Sequence, residues 1–75
     1  MGRCTIDHSV EDVVRKLNEQ QAFIPKKIYE DGMRFLDGTV EQDTLNEVFH
    51  LLKKYDLVEA DERERRNEEL RKIVR

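Results

Sequence analysis

The stretch "TVEQDTLNEVFHLLKKY", Thr39–Tyr55, decides how the rest of this chain is read. Leu45, Val48, Phe49 and Leu52 recur at i, i+3, i+4 and i+7, the spacing that stacks apolar side chains on one face of an α-helix. Beside them run Thr44, Val48, Leu51 and Tyr55. Two adjoining stripes predict a helix covered on two sides, and therefore a central one. Thr39 and Gln42 have the spacing of a capping box. Glu41 and Asp43 put negative charge in the first turn, and Lys53 and Lys54 put positive charge in the last, both as the helix dipole favours.

Moving upstream, "PKKIYEDGMRFLDG" (25–38) predicts a second helix. Pro25 suits a first helical position, where its missing N–H is no loss. Ile28, Tyr29, Met33, Phe35 and Leu36 then cover about half the circumference at 100° per residue. Gly32 falls inside that apolar arc. Since a helical glycine costs about 1 kcal/mol relative to alanine, its position predicts that another helix backbone approaches there. Gly38 is expected to end this helix in the left-handed conformation. Lys26 and Lys27 sit at the helix start, against the dipole; a solvated face is the favoured reading and a seat for an anionic partner the alternative.

Further upstream, "SVEDVVRKLNEQ" (9–20) carries Val10, Val13, Val14 and Leu17 on one helical face, with Ser9 placed to cap the N–H of Asp12. Gln20 and Gln21 interrupt that face, and Pro25 ends the helix by forcing Ile24 towards an extended conformation. Residues 1–8 show no periodicity and read as an extended or disordered N-terminal arm. The opening "MGRCTI" approaches a myristoylation signal, but Ile6 stands where that signal needs Ser or Thr.

Downstream, "YDLV" (55–58) breaks the helical pattern and makes a short connection to a fourth helix, from about Glu59 to Arg75. In its last part, "DERERRNEELRKIVR" (61–75), eleven of fifteen residues are charged. Acid-first pairs at Glu59–Arg63, Asp61–Arg65, Glu62–Arg66 and Glu68–Lys72 each support a helix by about 0.2–0.5 kcal/mol. The large apolar residues, Leu70, Ile73 and Val74, gather at its end and must dock somewhere. Ala60, Arg63, Asn67, Leu70 and Val74 follow a heptad line with Asn67 where a polar residue sets register. Docking within the chain and docking on a partner are equally open at this point.

The expectation is an all-α protein, a small antiparallel helical bundle of three core helices plus a charged C-terminal helix, with residues 9–75 as one domain. A chain of 75 residues buries a modest core and favours help from a partner. The single cysteine, Cys4, cannot make an internal disulfide. No apolar run approaches the ~20 residues of a membrane span, so a cytoplasmic protein is expected.

Chemistry-bearing constellations are weak. Cys4, Asp7 and His8 are close in sequence, and His50 is the only other histidine, but the spacings are not those of zinc ligands. Glu47 and His50 repeat half of a di-iron helix motif. No nucleophile has a visible base and orienting group, and no phosphate loop, cofactor motif or substrate pocket is evident. Neither an enzyme nor a cofactor is expected. Helices 2 and 3 admit a helix–turn–helix reading, but Glu41, Asp43 and Glu47 would present the wrong sign to phosphates. Formal net charge is −3 with the signs interleaved, which also disfavours nucleic acid.

The leading expectation is a non-enzymatic protein–protein interaction module, a small regulator or adaptor that pairs as a homodimer; the alternative is a nucleic-acid-binding regulator that uses helices 2 and 3 as a helix–turn–helix-like pair. The expected partner-binding residues of the interaction module are Leu51, Tyr55, Arg63, Arg66, Asn67, Leu70, Ile73 and Val74.

Overall fold

A computed structural model describes residues 7–74. Four helices follow in order: α1 (Val10–Glu19), α2 (Lys26–Leu36), α3 (Gln42–Leu52) and α4 (Ala60–Val74), with a single 3₁₀ turn at Tyr55–Leu57 between the last two. The architecture is the expected all-α bundle. Residues 1–6, with Cys4 and most of the expected arm, lie outside the described residues.

The first three helices start differently. Ser9 caps α1 as its sequence suggests, its hydroxyl accepting from the Asp12 N–H at 3.0 Å. Pro25 occupies the N-cap of α2 rather than its first turn. The box at the start of α3 does not form, because the N-cap is Glu41 and not Thr39. Gln42 is instead turned outward: its Nε2 donates to the His8 carbonyl at 2.7 Å and to Asn46 Oδ1 at 3.1 Å. Asp7 and His8 are thereby held on α3, where the His8 N–H also donates to Asn46 Oδ1 at 2.9 Å.

Both glycine expectations are revised. Gly38 does not take the left-handed conformation; the one residue with positive φ among those described is Lys54, at φ 57°. The sharp turn after α3 needs that geometry to swing the chain into the 3₁₀ turn. Gly32 is buried as expected, but its neighbour is not a helix backbone. A Cβ there would meet a methyl of Leu17 at 3.1 Å. The glycine makes room for one side chain of α1.

Core residues come from all four helices and the 3₁₀ turn: Val13 and Leu17, Ile28 and Leu36, Leu45, Val48 and Leu52, Tyr55, then Leu70 and Val74. α3 packs on α1 along one side and on α4 along the other, matching its two stripes. α2 closes the ring by packing on both α1 and α4, so the order around the bundle is α1–α2–α4–α3. The beginnings of α1 and α3 meet through His8 and Asn46, and their ends meet where Gln20 Nε2 donates to Asp56 Oδ1 at 3.0 Å. These two neighbours therefore run in the same sense, and α2 and α4 both return from the end at which they finish. The charged fourth helix is a full side of this ring and not an appendage.

Candidate interaction surface

The eight residues expected to meet a partner divide into two groups. Tyr55, Asn67, Leu70 and Val74 are buried inside the monomer. Of the two docking modes left open for the tip of α4, the structure takes the intramolecular one. Leu51, Arg63, Arg66 and Ile73 are half-buried along the seams of the same packing.

The buried group is organised by one polar contact. The Tyr55 hydroxyl donates to Asn67 Oδ1, and Asn67 Nδ2 donates to Glu64 Oε1 at 3.2 Å. Burial pushes the Tyr55 phenol above its ordinary pKa of 10.0, against the downward pull of the Asn67 hydrogen bond. Asn67 thus sets register within the chain, between the 3₁₀ turn and α4, in place of the register of a coiled coil.

Arg63 and Arg66 act as anchors. Arg63 lies over the Tyr55 ring at 5.6 Å and donates to the Val58 carbonyl at 3.1 Å. Arg66 donates to the carbonyls of Leu51 at 3.3 Å and Lys53 at 2.8 Å, groups left without helical partners at the end of α3. Of the acid-first pairs, Glu62–Arg66 forms at 2.9 Å, while Glu62 also holds Arg65 at 2.7 Å. These two guanidinium groups hold the Glu62 carboxyl down at about 2.

With these residues occupied, the exposed apolar surface lies elsewhere. Among the described residues the exposed large hydrophobics are Phe23, 49% exposed, and Leu57, 73% exposed. Phe23 stands in the turn between α1 and α2, and Leu57 ends the 3₁₀ turn. The Gln20–Asp56 hydrogen bond ties those two segments together, so both residues lie at the same end of the bundle. Sequence reading passed over them because each lies in a connection, outside any helical period. Their signal was a large apolar residue where a polar turn residue is usual.

Two hollows flank them. One, about 210 Å³, is lined by Ile24, Tyr29, Gln21, Lys26 and Glu30. The other, about 560 Å³, is lined by Leu57 and Val58 with Glu59, Asp61, Glu62 and Arg65. Because α2 and α4 start at this end, their first turns stand here with opposite signs. Lys26 and Lys27 open α2, which has no acidic residue in its first turn, whereas Asp61 and Glu62 open α4.

A third hollow, about 310 Å³, lies near the opposite end beside His8, Lys16 and Phe49. The His8 ring stacks on Phe49 at 3.6 Å between centroids, so it covers an apolar face to which no local pattern assigns it. The edge of His50 faces His8 at 6.3 Å. Charges around this hollow are matched within α1, Asp12 with Arg15 and Lys16 with Glu19. Among the described residues no group of three or more His, Cys, Asp or Glu is placed to hold a metal ion. No described helix is long and apolar enough to cross a membrane. α2 and α3, the pair a helix–turn–helix would pack together, make at most a marginal contact.

No protein-family model, curated protein or solved structure matches this chain.

Proposed function

We propose that this protein is a non-enzymatic protein–protein interaction module, a small regulator or adaptor that works by pairing with a second copy of itself. The observation that carries this reading is the placement of Phe23 and Leu57, both exposed, at one end of a bundle whose other large apolar side chains, among the described residues, are buried or half-buried. Removing a leucine or phenylalanine side chain from water is worth about 1.5–3 kcal/mol. Leaving two in water at one place is an energetic cost that a binding partner would recover. The flanking hollows give a partner's side chains somewhere to enter. Large exposed apolar groups rimmed by charge are the usual marks of a contact surface.

Sedimentation equilibrium of the wild-type chain and of Leu57→Asp at micromolar concentration tests this. The expected result is a concentration-dependent dimer for the wild type and a monomer for the variant, with equal helical content. A wild-type chain that sediments as a monomer throughout counts against self-association.

A further inference from the structure

We infer that the two copies pair head to head across a two-fold axis, each copy's basic rim at the start of α2 meeting the other's acidic rim before and within the first turn of α4. This rests on the self-associating reading given above and specifies its geometry. In a two-fold interface, if residue i of one copy touches residue j of the other, j also touches i. The end of this bundle has the self-complementarity such pairing needs. It carries one apolar knob beside positive charge, Phe23 with Lys26 and Lys27, and one beside negative charge, Leu57 with Glu59 and Asp61.

The knobs also match the hollows. Turning a second copy about an axis between Phe23 and Leu57 brings its Leu57 to the hollow floored by Ile24 and Tyr29, whose rim includes Lys26. The same rotation brings its Phe23 to the larger hollow beside Leu57 and Val58, whose rim includes Glu59 and Asp61. Each apolar contact then sets lysine of one copy beside carboxylates of the other, with Glu30 on the first rim and Arg65 on the second as the minority charges.

The charges at this end are available for the purpose. Lys26, Glu59 and Asp61 are exposed and enter no ion pair among the described residues. Lys27 does reach Asp31 at 3.4 Å, yet its side chain remains 80% exposed. Two lysines at a helix N-terminus oppose its dipole, with no acid in that turn to offset them. Carboxylates from a second copy reverse that local imbalance. A standard interface buries about 800 Å² on each side, and this chain exposes 5082 Å² in all. The whole end of the bundle must take part, not two side chains alone.

The test is a charge exchange on the full chain, read by sedimentation equilibrium at low salt. Lys26→Glu/Lys27→Glu and Glu59→Lys/Asp61→Lys should each associate at least about tenfold more weakly than wild type, because like charges then face each other at both rims. An equimolar mixture should recover association to within about threefold of wild type, since both rims are again complementary. Raising the salt should weaken the wild-type dimer and the mixed dimer alike. Circular dichroism establishes that each variant is folded; should the acidic-rim double variant unfold, Glu59→Lys alone, which precedes α4, takes its place in the mixture. If the wild type dimerises, Leu57→Asp abolishes the dimer, and the mixture still fails to recover, the charge pairing is overturned while self-association stands. A wild-type monomer at all concentrations overturns both.

Discussion

α3 and α4 lie side by side and both contribute to the core, yet they do so by different chemistry. α3 inserts Leu45, Val48 and Leu52, all apolar, and its polar contacts lie at its two ends. α4 inserts Asn67, Leu70 and Val74, and its charged half is fixed by Arg63 and Arg66 reaching carbonyls on the neighbouring segment. An apolar stripe is therefore not the only way for a helix to belong to a core. Guanidinium groups directed at exposed carbonyls can dock a helix that has little oil to offer, and the stems of such side chains cover apolar surface as they cross it.

The contrast can be broken most severely from the α3 side. Leu52→Ala removes a fully buried side chain and should destabilise the fold by about 2–5 kcal/mol in urea denaturation. An unchanged midpoint would show that α3 is not the centre of the core. Next comes the polar anchor of α4. Asn67→Ala strands the buried Tyr55 hydroxyl and should cost about 1–3 kcal/mol. The double variant Tyr55→Phe/Asn67→Leu should recover part of that loss, because removing both polar partners leaves nothing unsatisfied. Failure of the double variant to exceed Asn67→Ala in stability would mean the contact is not what holds α4.

Smaller effects sharpen the junction between the two helices. Lys54→Gly relieves a left-handed residue at the expense of some chain entropy, and a net gain of about 0.5 kcal/mol is expected in thermal unfolding. A loss would indicate that the Lys54 side chain makes its own contribution. The smallest change concerns acid. Glu62 is held at about 2, below its ordinary value of 4.5, so the folded state favours the ionised form. The stability it adds is complete above the ordinary value and is lost as pH falls from there towards about 2. An NMR titration of the Glu62 carboxyl checks the direction, and Glu62→Gln should flatten that acid limb.

How much of this was legible beforehand depends on sequence separation. The stripes of α1, α2 and α3 are local repeats, and they announce both the helices and the two covered sides of α3. Ser9 acts three residues away and is equally readable. What escaped depends on partners 12 to 38 residues distant: Tyr55 with Asn67, Gln20 with Asp56, and His8 with Asn46. Tyr55 and Asn67 each carried a signal of their own, in a stripe and on a heptad line, but nothing local paired them, and the other four residues look like ordinary surface groups until the fold brings them together. The candidate surface escaped for the opposite reason. Phe23 and Leu57 belong to no period, so a search for periods cannot find them.

The order of helices around the ring has a bearing on how the chain acquires its structure. α1 leans on α3 and α2 leans on α4, so neither the first pair of helices nor the second contains its own set of neighbours. Val13 and Leu17 stay uncovered on one flank until the later half of the chain has been synthesised. A backbone cut in the loop between Leu36 and Gln42 should accordingly yield two fragments, each poorly helical alone, that gain helical signal on mixing. The intact chain should melt in a single step, with no half surviving the other.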